Sequence, residues 1–412
     1  MALGSAANGS IITMGRQESS NETDDRTWRR WVGFQSAIGF TGDPFLSRLS
    51  FEEQSLFAKS FLHALRTFSW TRAGQPNGLR PKPMVANSVR TATGVLGSAF
   101  RGNFKQSPFH NPNAPHLRPI IRSLMQSYAN ADPSTKRQRA ITPKLLRGMY
   151  SLSGAELPEY RDSHFAIISE IAIVGYFFAM RSCECTTTPT PGRTKIIALQ
   201  GVIFRSPDNQ IITHDDPNLH QAHYVSLTFQ NQKNGTKDDK RTHTRSGDPV
   251  LCPVLRLASI VRRLYRLFPT ATPDTTINTA LAKGTAVLLP ATLLLKHLRD
   301  SCELLGGFAT FGYGRDDIGT RSIRSGAAMG LFLMNHPVTK IMLMGRWSSD
   351  AFLNYIRPQV LEWTNQLSAD MIHNNSFFDA TDPRRAPPDA PRTRRPRSMV
   401  PNTRTLALHL LH

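Results

Sequence analysis

Residues 320–360, TRSIRSGAAMGLFLMNHPVTKIMLMGRWSSDAFLNYIRPQV, concentrate the chemistry of the chain. Arg321 and Arg324 stand one helical turn apart, Gly345, Arg346 and Trp347 form a corner, and Tyr355 sits in Asn-Tyr-Ile-Arg. Phosphoryl transfer needs positive donors around a phosphate, because charge gathers on its non-bridging oxygens in the transition state. It also needs a nucleophile, and a tyrosine hydroxyl serves when neighbouring cations lower its pKa. Upstream, FAMRSCE (residues 178–184) ends an apolar helical run with Arg181 and places Glu184 three positions on. Arginine suits the task because its fork matches phosphate oxygens and stays charged.

With Lys233 in QNQKNG, these residues resemble the tyrosine recombinase (integrase) family, most like the versions carried by eukaryotic mobile elements of the Crypton and DIRS-like kind. The resemblance matches Arg181, Glu184, Lys233, Arg324, Trp347 and Tyr355, and extends over the N-terminal third. It implies that Tyr355 attacks a scissile phosphate to form a 3′-phosphotyrosyl bond, with no metal and no cofactor. Arg181 and Arg324 then hold the non-bridging oxygens, Glu184 orients a guanidinium, and Trp347 donates its indole N–H. The hairpin lysine protonates the departing 5′ oxygen; Lys233 is favoured over Lys237 and Lys240. Arg321 departs from the pattern, which has histidine there, and arginine cannot act as a base. The activity implied is site-specific DNA cleavage and rejoining for mobile-element integration or excision. The alternative is a catalytically impaired DNA-binding protein on the same fold. A type IB topoisomerase shares the chemistry, but the short chain and two-domain layout favour the recombinase.

Each residue also has a plainer reading. Arg181 can complement a helix dipole with Glu184 as its surface partner. Trp347 can be core, and Lys233 a solvated turn lysine.

The net charge of +20 on 412 residues favours a polyanionic partner, here double-stranded DNA. No run approaches a membrane span, no signal peptide is evident, and the cysteines give no disulfide framework. The expected class is mainly α with a small antiparallel β-sheet (α+β). Residues 1–25 read as disordered, 26–131 as a helical core-binding domain and 132–141 as a basic linker. Residues 142–378 read as the catalytic domain, and 379–412 as a disordered Pro/Arg-rich tail.

Within the N-terminal domain, Ser50 and Glu53 have capping-box spacing, and further helices are expected from Ala86 and Leu117. Residues 98–150 hold nine Lys and Arg against one acid, Asp132. Lys136, Arg137, Arg139 and Lys144 are therefore candidate phosphate contacts, with a solvated loop as the plainer reading. In the second domain, residues 164–180 read as a buried helix, 195–204 and 223–230 as strands, and Asn234-Gly235 as a hairpin turn. Residues 247–268 read as an amphipathic helix with arginines on its wet face, and 270–290 as a polar connection. A last helix at 358–373 either docks on a neighbouring subunit or packs within the chain. The resemblance implies a homo-oligomer, dimer to tetramer on DNA. It also implies action in the nucleus, or in the cytoplasm if the source is a prokaryote or phage.

Overall fold

The structure is a computed structural model. It describes residues 18–103, 105–112, 116–133, 138–189, 194–232, 237–347, 349 and 353. The chain is helix-rich with small antiparallel sheets, an α+β protein. Buried residues form two hydrophobic clusters, one drawn from residues 31–128 and one from 141–323.

The first cluster is built by α1 (Glu18–Ala37), α2 (Phe51–Thr67), the hairpin strands β1 (Phe68–Trp70) and β2 (Pro76–Leu79), α3 (Ala86–Gly102) and α4 (Pro119–Ala131). Trp31 is its centre, with the rings of Phe57, Phe61, Phe100 and Phe109 between 5.0 and 6.0 Å away. Edge-on packing suits the ring quadrupoles. The indole N–H of Trp31 is satisfied by the Pro44 carbonyl at 2.8 Å. The capping box expected at Ser50 forms, its backbone N–H donating to Glu53 while its hydroxyl accepts the Glu53 N–H. Two expectations need correction. The first helix begins at Glu18 rather than near residue 26, and Glu22 pairs with Arg26 across one of its turns at 3.1 Å. The bundle is also not purely helical, because Phe68–Leu79 folds back as a hairpin.

The second cluster surrounds α6 (His164–Phe177), apolar on all sides and buried over most of its length. Packed on it are α5 (Pro143–Leu152), α8 (Pro253–Leu267), α9 (Ala291–Leu304) and α10 (Ser322–Leu333). The short helix α7 (Ser182–Cys185) follows α6, and α11 (Val338–Gly345) follows α10. A four-stranded antiparallel sheet has the order β4-β3-β5-β6: β3 (Val202–Arg205), β4 (Ile211–Ile212), β5 (Tyr224–Phe229) and β6 (Asp239–Thr244). The stretch expected as a polar connection contains another hairpin, β7 (Thr279–Ala282) and β8 (Thr285–Leu288). Lys283 and Gly284 take φ of 49° and 78° at its turn, the geometry of a tight hairpin.

The arginines of α8 are also not all on a wet face. Arg256 and Arg263 are buried, and both reach Glu170 on α6, at 3.8 and 2.9 Å. A carboxylate inside the core supplies the counter-charge that makes their burial tolerable.

Candidate functional site

The site is organised by the turn that ends α6. Ala179 takes φ of 45°, a left-handed conformation unusual for a residue with a Cβ. Its carbonyl accepts from Arg324 Nη1 at 2.7 Å and from Arg346 Nη2 at 3.4 Å. The neighbouring Phe178 carbonyl accepts from Arg346 Nη1 at 2.9 Å. Two arginines distant in sequence are thereby pinned to one peptide corner.

Glu184 completes the arrangement. It is buried, and its Oε2 accepts both the Arg181 backbone N–H at 2.8 Å and Arg346 Nη2 at 2.6 Å. Its Oε1 accepts Arg181 Nη1 at 2.8 Å. The pattern Arg-x-x-Glu works because α7 is a single turn, so a side chain three residues on folds back over the turn's start. The Arg181 side chain is 23 % exposed, whereas that of Arg346 is fully buried. Burial pulls the Arg346 guanidinium down to about 10, against the opposing pull of Glu184. It stays protonated at neutral pH, stacked over the Phe229 ring at 3.6 Å.

Arg324 reaches the corner because α10 approaches α6 closely. A Cβ on Gly326 would lie 2.5 Å from the Ile141 carbonyl, and one on Gly330 would lie 2.5 Å from the Tyr176 hydroxyl. Gly326 thus allows close approach to the backbone just before α5, whereas the contact at Gly330 is with the end of the Tyr176 side chain on α6. Arg324 is buried, its Nη2 donates to the Gly345 carbonyl, and its guanidinium lies 4.5 Å from the centroid of the Trp347 ring. Gly345 is required beside it, since a Cβ there would run into the Trp347 indole. Arg346 then takes φ of 57°, which reverses the chain at the end of α11.

Of the sequence-derived candidates, Arg181, Glu184, Arg324 and Trp347 thus come together, and Arg346 joins them. The sequence gives Arg346 no evident role, because the partner that buries it, Glu184, lies 162 residues upstream. Arg321 is exposed at the start of α10, its backbone N–H bonded to Gln138 Oε1 at 2.9 Å. Arg139 is committed to Asp317, with its backbone N–H on that carbonyl at 2.8 Å and its Nε 3.5 Å from the carboxylate. Lys144 is exposed and lies 5.6 Å from the centroid of the Phe311 ring. Lys237 and Lys240 are exposed, the latter opposite Thr228 on the β5–β6 pair. Lys136, Arg137, Lys233, Tyr355 and the 358–373 helix lie outside the described residues.

Among the described residues, no group of three or more metal-ligating side chains occurs, and no helix is long and apolar enough to cross a membrane. Chemically, the site can present arginine N–H donors to an oxyanion at the open side of Arg181.

No protein-family model and no curated protein matches the chain. Among solved structures it is similar to the Tn1549 transposon integrase in complex with transposon right end DNA, at 10 % identity and a TM-score of 0.41. That match covers 82 % of this chain and 99 % of that one. The same integrase with circular intermediate DNA matches at 10 % identity and a TM-score of 0.44, over 84 % and 91 % of the two chains. XerH site-specific recombinase bound to palindromic difH substrate matches at 13 % identity and a TM-score of 0.47, over 84 % and 79 %.

Proposed function

We propose that this chain is a DNA strand transferase of the tyrosine recombinase kind. The observation that carries the reading is the convergence of Arg181, Arg324 and Arg346 on one turn through Glu184 and the Ala179 carbonyl. Two guanidinium groups on the Glu184 carboxylate, with a third tied to the same turn through the Ala179 carbonyl, favour an anion, and the net charge of +20 favours a polyanion as its source. Tyr355 attacks the scissile phosphorus in line, and the 5′ oxygen leaves with a proton from Lys233. A 5′ hydroxyl of a partner strand later attacks the phosphotyrosine and frees the tyrosine, so the bond count is conserved and no nucleotide is hydrolysed. Arg181 and Arg324 bind the non-bridging oxygens, and Trp347 donates its indole N–H to an oxygen. Residues 26–131 form a clamp on the duplex and 142–378 the catalytic domain, acting as an oligomer on paired sites. The setting is integration or excision of a mobile element of the Crypton or DIRS-like kind, in the nucleus.

The test is a nicked duplex that traps the covalent product. Wild-type protein should yield a protein–DNA adduct on a denaturing gel, and Tyr355→Phe should yield none. Normal DNA binding with no adduct from any nicked substrate would leave the second reading, a DNA-binding protein that does not cut. Arg321 favours that second reading, because it stands where the family has histidine and cannot exchange a proton near neutral pH. Under the first reading Arg321→His increases adduct yield, by up to about 10²-fold if general acid–base help is restored; no increase counts against a catalytic role at 321.

A further inference from the structure

The reversal that closes α11 is held from two sides. On one, Arg324 of α10 donates Nη2 to the Gly345 carbonyl. On the other, Arg241 of β6 donates Nε to the Leu343 carbonyl at 2.9 Å. That same carbonyl accepts the Arg346 backbone N–H at 3.2 Å, and the Met342 carbonyl accepts the Trp347 N–H at 3.0 Å. These bonds carry the chain from the last turn of α11 through the left-handed Arg346, and so decide where Arg346 and Trp347 leave the helix. Arg241 lies 102 residues upstream of Leu343 and has no part in the chemistry assigned to Arg181, Arg324 and Tyr355.

Strand geometry brings Arg241 there. Asp239 and Arg241, two apart on β6, project to one face. Asp239 accepts Arg241 Nη1 through Oδ1 and the Gln232 amide through Oδ2, the latter at 3.1 Å. Gln232 is buried, so the carboxylate is itself held from behind. Across the strand pair from Asp239 stands Phe229, whose ring centroid lies 3.6 Å from the Arg346 guanidinium. The end of the β5–β6 pair thus meets the arginine corner twice, by a ring under Arg346 and by a guanidinium on Leu343. Arg241 is bonded in two directions at once, to Asp239 and to Leu343. The rigid guanidinium fork fixes both angles, whereas a lysine ammonium on its flexible stem does not. Burial is the largest influence on the Arg346 pKa; beyond Glu184 and Arg181, Arg241 lowers it and Asp239 raises it. The pair braces the corner without adding net charge to it.

We propose that Arg241, braced by Asp239, is a positioning residue for strand transfer: it sets the reversal at Gly345–Trp347 and, through it, the alignment of Trp347 with Arg324. The inference rests on the strand-transfer reading and adds to it a residue that acts without touching the reacting atoms. The test uses the full chain and the nicked duplex. Rates of adduct formation at saturating DNA are measured for wild type, Arg241→Met, Arg241→Lys and Asp239→Asn, each normalised to the folded fraction from circular dichroism. The two Arg241 variants are also joined to Gly345→Ala. Duplex affinity is read in parallel by fluorescence anisotropy at several salt concentrations.

The expected result is a rate loss of about 10–10²-fold in both Arg241 variants, the scale of a small misplacement at a reacting centre, and a smaller loss in Asp239→Asn. Affinity and salt slope hold at wild-type values. On top of Gly345→Ala, which disturbs the same reversal, either Arg241 variant costs less than about 3-fold more, because contacting sites are not additive. Wild-type rates in both Arg241 variants overturn the proposal. So do an affinity and salt slope that fall in Arg241→Met and return in Arg241→Lys, the mark of a phosphate contact made by charge alone. Losses that multiply in full with Gly345→Ala overturn it too, since they place Arg241 and the reversal in independent roles. A wild-type chain that forms no adduct overturns strand transfer and this inference with it, a result distinct from the other three. Should Arg241→Met fail to fold, Arg241→Lys and Asp239→Asn decide the matter on the same readings.

Discussion

Two carboxylates in this chain are each surrounded by arginines, and they are put to different uses. Glu170 on α6 meets Arg256 and Arg263 from α8, and all three residues are at least nine-tenths buried. Arg256 is further enclosed by Tyr150, whose hydroxyl accepts its Nη1 and whose ring centroid lies 4.4 Å away. Glu184 meets Arg181 and Arg346, with Arg324 joined through Ala179, but here Arg181 keeps a quarter of its side chain in solvent. The Glu170 cluster lies between two packed helices, with its three members almost wholly removed from solvent. The second sits at a chain reversal and leaves one cation accessible. A buried arginine is therefore no evidence of function by itself; one whose neighbours leave it a face to solvent is the candidate.

That contrast can be broken most forcefully at Arg263. Arg263→Ala should cost about 3–5 kcal/mol of stability by stranding Glu170 in the core, read as a shifted urea midpoint. Adduct yield per folded molecule should hold. At Arg181 the order reverses. Arg181→Ala should slow adduct formation by about 10²–10³-fold, the usual loss of one preorganised donor. Its melting temperature should move by only a few degrees. If both variants affect stability and activity alike, the two clusters are not distinct.

Gly345→Ala sharpens the comparison within the second cluster. The added methyl would push the Trp347 indole off Arg324 and should cost about 1–3 kcal/mol as overpacking. Adduct yield should fall further than the loss of folded protein explains, checked by normalising yield to the folded fraction from circular dichroism.

The smallest effect concerns an ion pair in neither cluster. Asp248 accepts both terminal nitrogens of Arg147, at 3.0 and 2.6 Å, and the N–H groups of Val250 and Leu251. The Arg147 side chain is the leading cause holding its carboxyl well below the ordinary aspartate range. A depressed folded-state pKa stabilises above the unfolded value of about 3.9, and that stability is lost as pH falls through it towards the folded value. Solvent screening keeps the amount to about 1 kcal/mol or less. Melts between pH 7 and pH 3 should show a shallower decline for Asp248→Asn than for wild type.

Local signals in the sequence carried well. The Ser50–Glu53 box and the buried helix from His164 each declare themselves within a few turns. The β5 strand was legible for the same reason, since alternation and a following turn dipeptide are short-range properties. Long-range pairing was not. Arg256 and Arg263 read as a wet face because Glu170, their partner, lies 86 and 93 residues away. Arg139 reads as a DNA contact from its basic surroundings, yet Asp317 holds it across a gap about twice as long. Asp132, the lone acid of the stretch that reads as a linker, accepts the Ala86 N–H at 2.5 Å and pairs with Arg66 at 2.8 Å. The hairpin Phe68–Leu79 escaped because its strands are three and four residues long, too short to show a period.

What occupies the open side of Arg181 decides whether strand transfer takes place there. A structure of the chain with a nicked duplex and orthovanadate should show the vanadate oxygens bonded to Arg181 and Arg324, with the Tyr355 oxygen joined to vanadium. Vanadate seated away from both arginines, or a Tyr355 oxygen that never approaches it, would contradict the assignment.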